Sequence, residues 1–103
     1  SDVCSSDLPG HFVGGSECRF AKHTHVGPYC VSTVGDWWPR GAKQREDIGY
    51  KRSHETMVFR LDDKGETDGN NIDFAGYNDS AVAEMGHERL VRKWAGVARR
   101  IAR

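Results

Sequence analysis

No apolar run in this chain approaches the roughly 20 residues that a membrane-spanning helix needs. A surplus of either charge is missing too, since 15 Lys and Arg balance 15 Asp and Glu. That balance removes the long-range field by which strongly basic proteins attract nucleic acid. Reactive motifs are also absent: there is no G-x-S-x-G, no phosphate-binding loop and no dinucleotide fingerprint. No cofactor is therefore expected, and catalysis is not favoured. Internal repeats and low-complexity tracts do not occur. Cysteine is scarce, at three residues.

The first eight residues, SDVCSSDL, match residue for residue one translated frame of a common sequencing-library adapter. Ser1–Leu8 are therefore expected to be non-native, with the natural chain opening near Pro9 and its own N-terminus and any targeting segment out of view. Without Asp2 and Asp7, basic side chains outnumber acidic ones by two. Cys18 and Cys30 remain, too few for a disulfide framework. Small buried thiols and a reducing, cytoplasmic setting are the expectation. A Gly-rich, flexible lead-in over residues 9–16 and a single domain over residues 17–103 complete the plan.

Within that domain, Glu17–His25 and Tyr29–Gly35 are β-prone runs on either side of Val26-Gly27-Pro28, a turn signal. With Gly27-Pro28 as the turn, Val26 pairs with Tyr29, His25 with Cys30 and His23 with Ser32. Asp36–Ser53 is a polar connection broken by Pro39, Gly41 and Gly49, and loops of this length are often functional. His54–Leu61 alternates as a third strand, with Glu55, Met57, Phe59 and Leu61 on one face. Asp62–Asn71 is turn-forming. Asp79 or Ser80 can cap a helix running from Ala81 to about Ala102. Its apolar face carries Ala83, His87, Leu90, Val91, Trp94, Val97, Ala98 and Ile101; the opposite face carries Arg89, Arg92, Lys93, Arg99, Arg100 and Arg103. The pattern predicts an α+β fold: a small antiparallel sheet, hairpin plus third strand, whose apolar face is covered by the long C-terminal amphipathic helix. Met57, Phe59 and Trp94 are expected to share one core.

The strings VSTVGDWWP, IGYKRSHETMVF, AGYN and GHERLVRKW resemble a family of short proteins met in phage and bacterial genomes, which carry STVG…P, ETMVF and GH…W in this order. The resemblance covers roughly residues 18–95. It supports one small domain and implies no activity. Some members of that family carry a cysteine-rich insert after the ETMVF strand; Asp62–Asn71 here contains no cysteine, so any metal site in such an insert is lacking.

Several constellations invite chemistry. Cys18, His23, His25 and Cys30 are four zinc-ligand types in thirteen residues, but zinc needs them on one point. Strand alternation puts His23, His25 and Cys30 on one face and Cys18 on the other. His87-Glu88 and His54-Glu55 begin like a metalloprotease H-E-x-x-H, yet Val91 and Val58 stand where the second histidine is required. Asp62–Asp73 resembles a calcium loop, but aligning Gly69 with the sharp turn puts Lys64 first and Ala75 last. Asn78-Asp79-Ser80 fits a glycosylation sequon, and a helix cap explains it equally. No metal site or catalytic residue is assigned.

Two groups of candidates remain. Glu55 and His87 form a candidate polar pair at the edge of the core. Trp37, Trp38 and Arg40 in the connection, with Arg92 and Arg99 on the helix, are candidate contacts for a ligand or nucleic acid through stacking and phosphate pairing. The expected function is a small soluble accessory or binding module, with a protein partner or self-association and no membrane. The alternative is a weak nucleic-acid-binding protein using the basic helix face and the Trp-containing loop.

Overall fold

Gly27 makes the first turn, in the left-handed region at φ 58°, where glycine alone carries no Cβ penalty. It joins β1 (Cys18–Val26) to β2 (Tyr29–Trp37). The register is the one the turn dictates: Val26 opposite Tyr29, His25 opposite Cys30, His23 opposite Ser32. β3 (His54–Arg60) pairs antiparallel with β2. The computed structural model describes residues 18–101, so the readings of Ser1–Leu8 as non-native and of residues 9–16 as a lead-in lie outside the described residues.

The sheet has four strands in the order β1-β2-β3-β4, one more than the sequence pattern predicts. The fourth, β4 (Asn71–Tyr77), pairs antiparallel with β3 through a register shift at Val58/Phe59. Leu61–Asn70 forms the turn region before it, with Gly65 and Gly69 at positive φ. The C-terminal helix α1 (Ser80–Ile101) follows. Asp79 caps it: its Oδ1 accepts the Ala81 N–H at 2.7 Å and the Val82 N–H at 3.1 Å, occupying donors that the first helical turn leaves open. Among the described residues, no helix is long and apolar enough to cross a membrane.

α1 lies on the face of the sheet formed by Tyr29, Val31 and Val58, and Leu90 is buried with them; Val26, Ala75, Val91, Trp94, Val97 and Ala98 pack around this cluster. Trp94 meets Tyr29 ring to ring at 4.8 Å. The helical periodicity therefore identifies the buried face, except that Ile101 runs past the sheet and is 57 % exposed.

The expectation that Met57, Phe59 and Trp94 share one core is overturned. Phe59, Leu61 and Cys30 form a separate cluster with Met57 against it, on the opposite face of the sheet by strand alternation. The helix covers the Thr56/Val58 side of β3 instead. Hydrophobicity could not choose between the two sides, because seven consecutive residues of β2, Tyr29–Gly35, are buried. Such a run is the signature of a strand packed on both faces, not of a half-exposed one.

Candidate functional site

What decides the helix's side is polar. Thr33 of β2 and Thr56 of β3 are cross-strand partners, with their Oγ1 atoms 2.6 Å apart. The Thr33 hydroxyl also bonds His87 Nδ1 at 2.6 Å, and Thr24 of β1 bonds His87 Nε2 at 2.8 Å. One imidazole on α1 thus ties together three strands. His87, Thr33 and Thr56 are all fully buried. A buried polar group is tolerated only when it is hydrogen-bonded, and here both ring nitrogens are.

A second imidazole makes a parallel tie nearer the helix start. His54 is also fully buried. Its Nδ1 lies 2.7 Å from Ser53 Oγ and its Nε2 2.8 Å from Ser80 Oγ, the first residue of α1. The edge of the Phe20 ring faces it at 5.5 Å. Gly35, opposite His54 in register, leaves the room that the ring takes up; a Cβ there would collide with it.

Burial lowers the pKa of His54 from its ordinary value; the Arg45 charge adds to this, while Asp36 and Asp79 oppose it. His87 is pushed down to about 4, first by burial and then by the Lys22 ammonium. Lys22 sits between two acids of α1, 2.7 Å from Glu88 and 3.7 Å from Glu84. The carboxylates nearest His87 are thus already paired with a cation.

Most of the strings behind the family resemblance meet at this seam. STVG supplies Thr33 and Gly35, ETMVF supplies Thr56, and GH…W supplies Gly86, His87 and Trp94. Gly86 gives Tyr77 of AGYN its place, since a Cβ on Gly86 would overlap the phenol oxygen. That hydroxyl is buried and, among the described residues, has no hydrogen-bond partner. Trp94 Nε1 donates to Asp73 Oδ2 at 2.9 Å, and Lys93 reaches the same oxygen at 2.8 Å. These contacts lower the pKa of Asp73 despite its desolvation.

The candidate polar pair does not form. Glu55 points to the other face of β3, where it accepts from Arg52 Nε at 3.1 Å, while His87 is held by Thr24 and Thr33. The error follows from placing the helix over Met57 and Phe59.

The candidate contact residues are not brought together either. Trp37 ends β2 opposite Cys18, and the Glu46 N–H donates to its carbonyl at 2.8 Å. Trp38 donates from its indole N–H to Asp36 at 3.1 Å, and the Arg19 guanidinium covers its ring at 4.0 Å. Arg40 is exposed in the loop. Arg92 is exposed beside Glu84, Met85 and Glu88 at a shallow depression of about 520 Å³. Arg99 lies next to Ala98, which abuts the Gly27 turn. That turn and Trp37 sit at opposite ends of a nine-residue strand spanning about 26 Å.

Cys18 opens β1 half-buried, and Cys30 is fully buried in the Phe59 cluster. His23 keeps to its strand neighbour, with Nδ1 2.8 Å from Ser32 Oγ. Among the described residues, no three His, Cys, Asp or Glu side chains converge as a metal site.

Sequence reasoning missed the turn at Gly49–Arg52. Tyr50 at its tip is 81 % exposed, and the tip is firmly anchored. Arg52 threads between Gly49 and Gly76, where a Cβ on either would strike it. Its guanidinium stacks on Phe74 at 4.7 Å, and its Nε is held by the buried Glu55. Asn78 donates to the Lys51 carbonyl at 3.1 Å and accepts the Ser53 N–H at 2.9 Å. The available signal was the G-Y-K-R tetrapeptide, with an aromatic residue at the centre of a turn. The chain matches no protein-family model, no curated protein and no solved structure.

Proposed function

We propose that this chain is a small binding or accessory module, as its resemblance to short phage-borne proteins suggests, and that the Tyr50 turn is its contact surface. One contrast carries the reading. The imidazoles of His54 and His87, with the hydroxyls that hold them, are consumed inside the helix–sheet seam, whereas among the described residues the most exposed large aromatic, Tyr50, is held outward on an anchored turn. Tyrosine and arginine are enriched among the residues that dominate protein interfaces. A contact residue whose backbone is already fixed loses less entropy on binding. Tyr50, Lys51, Arg52 and the 39 % exposed Phe74 together supply aromatic surface and positive charge. A protein partner suits that mixture. Photo-crosslinking tests the proposal, with the reactive side chain at position 50 and, as control, at Asp63 in the distant turn before β4. A discrete adduct is expected from position 50 alone, and Tyr50→Ala should abolish capture of that partner without lowering the melting temperature. Identical adducts from both positions would contradict the reading.

Nucleic-acid binding is the second reading, favoured by the exposed Arg89, Arg92, Arg99 and Arg100 along α1. The covered Trp38 ring and the distance from the Trp loop to Arg99 weaken it. If α1 holds phosphates, affinity must fall steeply with salt, and Arg92→Ala with Arg99→Ala should lower the salt slope by about two. The binding-module reading predicts only feeble association that vanishes near physiological salt.

A further inference from the structure

We propose that His54 and His87 form an acid-labile latch between α1 and the sheet, so that the helix docks only while both imidazoles are neutral. The geometry makes these two rings the polar anchors of the seam. His87 projects from α1 into β1, β2 and β3 through Thr24, Thr33 and Thr56. His54 projects from β3 to Ser80 at the helix start. Both rings are fully buried, and among the described residues the polar atoms they meet at hydrogen-bond distance are hydroxyls. A hydroxyl can donate to a neutral ring and accept from a charged one, so protonation need not cost a hydrogen bond. The cost is a charge buried without a counter-charge.

The charged surroundings agree. Facing His87 are Lys22 and His23 from β1, which oppose protonation, and Glu84 and Glu88 from α1 itself, which favour it. The two acids are bound to Lys22; β2 meets the ring through the Thr33 hydroxyl, which in turn bonds Thr56 of β3. Around His54, Asp36 near the end of β2 and Asp79 before α1 favour the charged ring and Arg45 opposes it; Tyr77 of β4 is its partner in register. For both rings burial is the largest influence, and it lowers the pKa.

The sign of the pH effect follows. An imidazole whose folded-state pKa lies below its unfolded value gains its proton on opening. Docking is then strongest above pH 6.5 and weakens as pH falls toward about 4, the folded value for His87. Asp73 and Glu88 are also held below their ordinary carboxylate values, 3.8 and 4.5, so their contribution to the folded state is lost only as pH falls through that acid range. Loss between pH 6.5 and about 5 thus reports the imidazoles rather than those two acids.

The test is an NMR titration of the histidine rings in the full chain, with amide exchange of α1 corrected for intrinsic rates. Below pH 6.5, α1 protection should fall by up to tenfold per pH unit for each excluded proton, while neither buried ring titrates at its ordinary value in the folded state. His87→Gln and His54→Gln should each remove their share of that slope. Should a variant not fold, the titration of the unaltered chain decides alone. A His87 ring that takes up its proton near pH 6.5 with α1 protection unchanged would overturn the proposal.

Discussion

Thr33 is the residue on which the account turns, because its hydroxyl serves both Thr56 and His87. Thr33→Val keeps the shape and removes the hydroxyl, leaving a buried imidazole nitrogen without a partner. The expected loss is about 1–3 kcal/mol, read from the urea midpoint; a neutral result would mean that water replaces the hydroxyl. Gly86→Ala is the steric counterpart. Alanine is the better helix former by about 1 kcal/mol, yet its methyl would enter the space of the Tyr77 hydroxyl. Gly86→Ala should therefore destabilise the chain, and adding Tyr77→Phe should restore part of the loss. Stabilisation by Gly86→Ala alone would show that the contact yields freely. None of this was legible at the level of single residues. The helical period does put His87 on the buried face, but a scale that scores threonine as polar assigns Thr33 and Thr56 no part in a core, and the pairing of all three depends on strand register and helix position together.

Among the elements, the hairpin register and the buried helix face were legible, since a two-residue turn fixes the first and a 3.6-residue period the second. β4 was not. Asp73 and Gly76 dilute its alternation, and only its contacts explain it: Asp73 faces α1 to accept from Lys93 and Trp94, while Gly76 clears a path for Arg52. The side of the sheet that α1 covers was also illegible, because β2 and β3 carry apolar residues on both sides. Phe59 distinguishes the two cores. It is 1 % exposed, so Phe59→Ala should cost about 3–5 kcal/mol. In whatever fraction remains folded, however, the Trp94 indole resonance should keep its shift, since Phe59 lies in the other cluster. A displaced Trp94 signal in folded protein would join the two cores again.

For the molecule as a whole, the candidate site was the least legible feature. The sequence shows where cations and tryptophans are, but not that Arg19 covers Trp38, that Arg99 sits at the far end of the sheet from Trp37, or that Tyr50 stands clear on a braced turn. What emerges is a domain whose unusual strings are spent on holding a helix to a sheet, with Tyr50 left exposed on a short turn, the surface we propose for recognition. Thr33 and His87 act as one unit in that seam. A double-mutant cycle of Thr33→Val and His87→Gln, read by urea unfolding at neutral pH, tests it most directly. A coupling of about 0.5–3 kcal/mol between the two positions is expected; strictly additive losses would mean that the two side chains act independently.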